Sequence, residues 1–372
     1  MSNNAMPVNQ KRPTITIRDV ARKADVSVAT VSRVFAKHGK VASELVQRVL
    51  QASQDLGYTP SAMAQGLRRG RSHTVGLVLS DVSNPFFGKI VRGVEDELNR
   101  AGYGVVIFDT DNTVEKEALA VQRVIEMRLD GLIVSSASRE GQHFERIRRE
   151  GMPLVFVNRE PDDASDDSVI SDNIGGAERG VAHLIEQGHR RIGIICASHR
   201  YSSARLRQMG YHKALMSAGL PLLKELIIET SDTTFEDGLQ GVHELLAQNP
   251  PPTAIFVTKN NLTLGVVAGL QRANLRIPEQ MAVLGFDDAE WASVFGLSTI
   301  MQPTYQLGTT AGLLLLKRME GFRGGPQRIV LETELVLRSR MTRQRRDERR
   351  GELADLLTSG PASGYHEGPR EI

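Results

Sequence analysis

The sequence predicts an all-α helix-turn-helix headpiece followed by an α/β body made of two doubly wound parallel-sheet lobes. Three observations carry that expectation. Residues 16–57 hold three short helical patterns, each with its own capping signals. From Thr74 onward, short apolar runs alternate with amphipathic stretches. The charge is divided as well: residues 1–70 carry 11 Lys/Arg against 4 Asp/Glu, and residues 71–337 carry 27 against 34. A basic module on an acidic body suggests that the module meets a polyanion, although a solvated surface would show the same balance.

Bulk properties narrow the class further. A chain of 372 residues suits two or three domains, and 40% apolar with 24% charged residues is ordinary for a soluble globular protein. No apolar run reaches the roughly 18 residues of a membrane span, and Met1 to Arg12 lacks the apolar stretch of a secretory signal. The lone cysteine, Cys196, lies in an apolar run and reads as an inert core thiol. A cytoplasmic location, away from membranes, is therefore expected.

Residues 1–14 read as a flexible extension. Thr16-Ile17-Arg18-Asp19 is a capping box with Asp in the place of the usual Glu, so a helix is expected to about Lys23. Asp25 sits in a tight turn. Ser27 then caps a second helix over Val28–Phe35. Ser43 caps a third, Glu44–Leu56, which Gly57 terminates. Val20, Ala21, Val26, Val31 and Val34 make an apolar set, and Val46, Val49 and Leu50 form the stripe that closes it.

Two short helices joined by a tight turn can lay the second in the DNA major groove. There Val28, Ala29 and Thr30 would approach base edges and thymine methyls. Arg33, one turn on, could take a guanine or a phosphate. A protein-binding three-helix bundle is the alternative that the pattern leaves open.

The ordered motifs Ile17-Arg18-Asp19-Val20-Ala21, Val26-Ser27-Val28-Ala29-Thr30-Val31-Ser32-Arg33-Val34 and Leu56-Gly57-Tyr58-Thr59-Pro60, followed by Ala64 and Leu67, closely resemble the headpiece of the LacI/GalR family. The resemblance runs to about residue 339. It implies a homodimeric transcription regulator, a repressor in the first instance, whose DNA contacts fall on Thr16, Ser27, Val28, Ala29, Thr30, Ser32, Arg33 and Tyr58. An activator is possible too, since operator position sets that outcome. Its headpiece would be residues 15–59, and its operator a pseudo-palindrome. Residues 60–71 would be a hinge that folds on DNA. Ser61 and Arg68 would flank the backbone there, and Leu67 would wedge a central CpG step in the minor groove. A plain linker is the competing reading of that segment.

In the body, 72–340, strands are expected at Val75–Leu79, Val105–Phe108, Leu132–Val134, Leu154–Val157, Ile192–Ile195, Ile227–Ile228, Ile255–Val257 and Ala282–Phe286. Helices between them include Phe87–Ala101, Glu115–Leu129 and Gly175–Gln187. So many units suit two lobes, as in a periplasmic sugar-binding protein by the resemblance. Lobe one is placed at about 72–170 plus 302–327, and lobe two at 171–301 plus 328–340.

Ligands of open parallel sheets bind beyond the carboxyl ends of the strands. Asp81 to Phe87, Ser135 with Ser136, Asn158 with Arg159, Thr258 to Asn261 and Asp287 with Asp288 lie at such ends and are expected to converge on an interlobe cleft. By resemblance, Arg207 matches an effector-contacting arginine and Asp287 an aspartate that holds sugar hydroxyls or a purine. Asn260 matches a sugar-contacting amide, and Phe86 with Phe87 a stacking pair. Asn158 and Asn261 depart from aspartates common in the family. Trp291, just beyond Asp287, could cover a sugar ring. Structural readings stand beside these: core for Phe86, packing for Trp291, an interlobe salt bridge for Arg159 and a helix N-cap for Asp288.

A small-molecule effector is therefore expected, a sugar or sugar derivative first and a nucleobase second, with no cofactor and no metal. The chain shows no nucleophile elbow, phosphate loop or dinucleotide fingerprint, which argues against an enzyme. A transport-type binding protein would carry a signal peptide and no headpiece. Arg338 to Arg350 and the residues after it read as a flexible basic tail, 341–372, without the heptads of a tetramerising coiled coil.

Overall fold

The computed structural model describes residues 15–36, 41–58 and 71–338. The expected extension, most of the expected hinge with Ser61, Leu67 and Arg68, and the expected tail lie outside these residues. The chain divides into two compact units: one before Val75, which also takes Arg128–Asp130, and one comprising the rest.

The first unit contains α1 (Ile17–Ala24), α2 (Val28–Ala36) and α3 (Ser43–Leu56). Asp19 accepts from the backbone N–H of Thr16 at 2.9 Å and from its hydroxyl at 2.7 Å. Those bonds hold the Asp19 carboxyl below its usual range. Asp25 takes the left-handed conformation at φ 51° and ends α1; Gly57, at φ 65°, ends α3.

The core is Val20, Ala21, Ala24, Val31, Val49 and Ala52, with Val26, Val28, Val34, Phe35, Leu56 and Tyr58 packed around it. Two expectations change. The N-cap of α3 is Ala42, with no side-chain cap, and Ser43 is already helical. Leu50 is 49% exposed, because the face that meets α1 and α2 is Val49, Ala52 and Ser53, centred about 100° around the helix.

The second unit runs in alternation. Lobe one begins with β1 (Thr74–Leu79), α4 (Pro85–Arg100), β2 (Gly104–Asp109), α5 (Val114–Glu126), β3 (Gly131–Val134), α6 (Glu145–Arg149), β4 (Leu154–Val157) and β5 (Asp167–Ser171). Lobe two follows with α7 (Asn173–Glu186), β6 (Ile192–Cys196), α8 (Ser202–Ser217), β7 (Ile227–Glu229), α9 (Phe235–Leu246), β8 (Ala254–Val257), α10 (Asn260–Arg272), β9 (Ala282–Phe286), α11 (Glu290–Val294) and β10 (Ser298–Met301). The chain then returns to lobe one for α12 (Thr304–Met319) and β11 (Arg328–Leu331), and crosses again for β12 (Glu334–Val336).

The sheets have the orders β11-β5-β4-β3-β1-β2 and β12-β10-β9-β8-β6-β7. Strand β12 runs antiparallel to β10, an exception to the parallel expectation. In both sheets the order reverses at the first strand, which opens a crevice beyond its carboxyl end. Strands β5, β10, β11 and β12 were not expected. They are short or rich in polar residues, as in Asp167-Ser168-Val169-Ile170-Ser171, whose residues are all buried.

Strand β11 pairs in parallel with β5, so the crossing to lobe two comes after Leu331 rather than at 328. Asp167 fixes this return. It accepts from Arg318 at 2.6 and 2.7 Å and from the Gln327 N–H at 2.7 Å. Helices α4 and α12 lie against each other through Gly93 and Gly308. A Cβ on Gly93 would stand 2.3 Å from the Tyr305 carbonyl oxygen, and one on Gly308 2.2 Å from that of Ile90.

Cys196 is fully buried, and burial pushes its thiol up to about 12. Asp288 does not cap a helix. It takes Arg338 in a bidentate pair of 2.6 and 2.8 Å, so the first arginine of the expected basic run is docked on lobe two. Among the described residues no helix is long and apolar enough to cross a membrane.

Candidate DNA-reading face and interlobe cleft

Helix α2 is positioned by its own first turn. Ser27 Oγ accepts from the Thr30 N–H at 3.1 Å and lies 2.9 Å from the Thr30 hydroxyl. Val31 is fully buried, and Val28, Val34 and Phe35 lean on the same core. The opposite side therefore presents Ala29 and Arg33, both exposed and one turn apart, with Ser32 half-buried beside them. Thr16 and Ser27 are exposed at the two helix starts.

Two expected contacts are partly committed elsewhere. Val28 packs inward. Tyr58 lies half-buried against Phe35, with ring centroids 5.9 Å apart, and its carbonyl accepts from Ser53 Oγ at 2.7 Å.

The second unit holds a cleft between its lobes, with about 430 Å³ of empty space, part of it open to solvent. Lobe one contributes Asn84, Phe86, Phe87, Asn158 and Arg159. Lobe two contributes Ala197, Tyr201, Ser203, Ala204, Arg207, Thr233, Thr258, Lys259 and Asp287, and Gln302 sits on a crossing segment. Nearly all follow the carboxyl ends of β1, β4, β6, β8 and β9, where the crevice rule places a ligand.

Asp287 has φ 82°, a conformation rare outside glycine, and Asn158 has φ 65°. Asp287 accepts from Gln302 Nε2 at 2.5 Å and from the Asn260 N–H at 3.4 Å. Arg207 donates to Asn173 Oδ1 at 2.8 Å and to the Thr258 carbonyl at 2.5 Å, and lies 3.7 Å over the Phe286 ring. Burial lowers its guanidinium to about 10, against the pull of Asp287. Arg159 is not an interlobe salt bridge. It donates to Ser80 and, at 3.0 Å, to Asn112 within lobe one, and it stacks 4.5 Å from the Tyr201 ring of lobe two. Burial lowers its guanidinium as well.

Of the expected cleft residues, Phe86, Phe87, Arg159, Arg207 and Asp287 are brought together. Phe87 is mainly core at 2% exposure. Phe86 is half-buried and meets Phe87 edge-on at 5.1 Å. The other four are not among the cleft's lining residues. Asp81 accepts from the Ser83 N–H at 3.0 Å and its hydroxyl at 2.5 Å, closing a turn. Ser135 is buried behind the cleft, 3.4 Å from Asn158 Nδ2. Asn260 spends its amide on Asn84. Trp291 packs on the lobe-two core beside Phe295, ring centroids 6.4 Å apart.

The sequence reading passed over Tyr201, Thr233 and Gln302, and held Asn84 only within the strand-end segment 81–87. Lys259 stood in the strand-end segment Thr258 to Asn261 without a role of its own. Its ammonium donates to Thr233 Oγ1 at 2.6 Å, and burial pushes it down to about 7. Asn158 Oδ1 and Gln302 Oε1 are buried with no hydrogen-bond partner among the described residues. Such atoms are costly unless something binds them. The cleft thus offers aromatic faces, unpaired amide oxygens, one carboxylate and three cations to a small polar molecule.

Comparison with known proteins agrees with both parts. Residues 16–61 match the model of bacterial regulatory proteins of the lacI family, and residues 181–339 that of a periplasmic binding protein-like domain. The transcriptional repressor CytR of Escherichia coli is 32% identical over 335 residues, covering 90% of this chain and 98% of that one. The ribose operon repressor of Haemophilus influenzae is 33% identical over 325 residues, 87% and 97% of the two chains. Among solved structures, the lac repressor dimer bound to operator and an anti-inducer matches with TM-score 0.78 and 28% identity, covering 88% of this chain and 99% of that one. A complex of the regulator CelR with cellobiose matches with TM-score 0.67 and 30% identity, over 88% and 99%.

Proposed function

The chain belongs to the lacI family of bacterial regulatory proteins, and from that premise we propose that the cleft is its effector switch and α2 its base-reading helix. It is a DNA-binding transcriptional repressor controlled by a small molecule. Its relatives are regulators rather than enzymes, and no turnover of the bound molecule is part of this reading.

The observation that carries the switch is the cleft's composition from both lobes: Phe86 and Arg159 on one side, Arg207 and Asp287 on the other. A ligand touching both sides stabilises one relative arrangement of the lobes by its differential affinity. Asp287 and Arg207 would read ligand hydroxyls, and Phe86 would cover a ring face.

On the DNA side, Ala29 and Arg33 would meet base edges, with Thr16, Ser27, Thr30 and Ser32 on the adjoining phosphates. The protein would act as a homodimer on a pseudo-palindrome. Residues 60–71 would form the hinge, with Ser61 and Arg68 against the backbone and Leu67 wedged into a central CpG step. An effector-driven change in lobe arrangement would then alter the spacing of the paired hinges. A coupling of about 1–3 kcal/mol changes operator occupancy several-fold or more.

The test is operator selection from random DNA with the full chain, followed by operator titrations with and without each compound of a thermal-shift screen. Binding without sequence preference would remove the repressor assignment. A compound that binds the cleft without changing operator affinity would remove the switch.

A further inference from the structure

The charge of the cleft narrows the class of its ligand, and this inference rests on the reading of the cleft as the effector site. Three cations line it, Arg159, Arg207 and Lys259, against one carboxylate, Asp287. Arg159 and Arg207 are only 4% exposed. Every hydrogen bond that the three donate among the described residues goes to a neutral oxygen: Ser80 and Asn112 for Arg159, Asn173 and Thr258 for Arg207, Thr233 for Lys259. The cations also stand near enough to repel one another, since Arg159 and Arg207 each disfavour the charged form of Lys259.

Two further carboxylates act on this group from outside the lining. Glu117 is bound to Ser136 Oγ at 2.8 Å, the Ala137 N–H at 2.5 Å and His143 at 2.7 Å, and Asp81 closes its own turn. Buried cations whose hydrogen bonds all go to neutral oxygens are costly even with carboxylates nearby, and an anion that bonds them directly relieves that cost. A neutral sugar would supply hydroxyls to Asp287, Asn158 and Gln302 and leave the excess positive charge unanswered.

We propose that the effector is a small polyhydroxylated anion, a phosphorylated sugar or a sugar acid. Its anionic group lies among Arg159, Arg207 and Lys259, and its hydroxyls donate to Asp287, Asn158 and Gln302. Phosphate and carboxylate share the chemistry that these cations recognise, and matched compounds separate the two.

The experiment uses the full chain in thermal-shift and calorimetric titrations. The probes are inorganic phosphate alone, ribose beside ribose 5-phosphate, and glucose beside glucose 6-phosphate and gluconate. Millimolar phosphate is expected to raise the melting temperature, and Lys259→Met to remove that rise. In at least one matched set the anion should bind tenfold or more tighter than its neutral partner. Lys259→Met should weaken that anion about 10- to 100-fold, the loss of one charge-assisted hydrogen bond.

Absence of any phosphate response overturns the proposal, as does a response of equal size in Lys259→Met, which would place the phosphate on the headpiece. A neutral sugar that binds as tightly as its anion, and is lost in Arg207→Ala, overturns the anionic class while keeping the cleft as the effector site. A ligand unaffected by Arg207→Ala and Asp287→Ala removes the effector-site reading itself. Lys259→Met without ligand gives an independent check. It should melt no lower than the parent, because an unanswered buried charge is replaced by an apolar chain of similar length, and a marked drop would contradict the proposal.

Discussion

Asn84, the N-cap of α4 in lobe one, and Asn260, the first residue of α10 in lobe two, exchange a reciprocal pair of amide hydrogen bonds of 3.1 and 2.8 Å. Both side chains are nearly fully buried. The pair joins the lobes at the edge of the cleft, where Asn84 Oδ1 also accepts from the Phe86 N–H at 3.0 Å and the Asn260 N–H faces Asp287 at 3.4 Å. Closure of the lobes is thus tied to the two residues that would cover and grip a ligand.

Breaking this pair from the Asn260 side leaves the α4 cap in place. Asn260→Ala should lower stability by about 1–3 kcal/mol, the range for stranding a buried polar partner. It should also shift the ligand-free protein toward open lobes and weaken any ligand that binds the closed form. Urea unfolding and small-angle scattering would show both; unchanged scattering together with unchanged stability would contradict the latch.

On the DNA face, Arg33→Ala should weaken operator binding by about 1–3 kcal/mol if Arg33 reads a base. Its side chain is exposed on α2 opposite the Val31 core, so folding should be unaffected. Fluorescence anisotropy on operator and on random DNA distinguishes the roles, because equal losses on both would reduce Arg33 to a phosphate contact.

Leu67→Ala tests the hinge proposal. Operator bending at the central step should decrease with little change in effector affinity, read by a circular-permutation gel and by calorimetry. An unaltered bend angle would remove the wedge.

In the cleft, Asp287→Ala removes the carboxylate that Gln302 and the Asn260 N–H hold in place. Ligand affinity should fall by about 2 kcal/mol or more, since ligand hydroxyls lose a charged acceptor, and the operator response should vanish. Ligand-free operator affinity should persist. Normal ligand binding by Asp287→Ala would mean that the pocket lies elsewhere.

Lys259 sets a pH dependence. Its folded-state value is about 7 against an ordinary 10.5, chiefly from burial, with Arg159 and Arg207 repelling its charge and Asp287 and Asp81 attracting it. Below pH 7 the ammonium is protonated in both states and the full burial penalty applies. Between about 7 and 10.5 the unfolded chain binds the proton more strongly, so ligand-free stability rises with pH, and the penalty is gone above 10.5. Comparing urea unfolding of the parent and Lys259→Met from about pH 6 to 8.5 isolates this group. The parent should gain on the variant as pH rises, and parallel curves would rule the effect out.

The elements of both units were largely legible in the chain because their signals are local. Thr16 and Asp19 sit one helical turn apart, Gly57 supplies a left-handed stop, and Val75–Leu79 or Ile255–Val257 are apolar enough to demand burial on two faces. Arg207 and Asp287 were legible by resemblance, and the structure brings them to one cleft.

What tertiary structure decided is which neighbour a side chain meets. Leu50 and Val49 are adjacent and both apolar, yet only the second faces α1 and α2. Asp167 hides a polar strand in the sheet because Arg318, some 150 residues away, answers its charge. Trp291 looked like a ligand-covering ring and lies on the lobe-two core instead. Asn260 and Lys259 are consecutive, and the amide goes to Asn84 while the ammonium lines the cleft. Caps, turns and apolar period are properties of a few consecutive residues, so the sequence determines them alone. Pairing across lobes depends on where distant strands end, and that is settled only when the whole chain has packed.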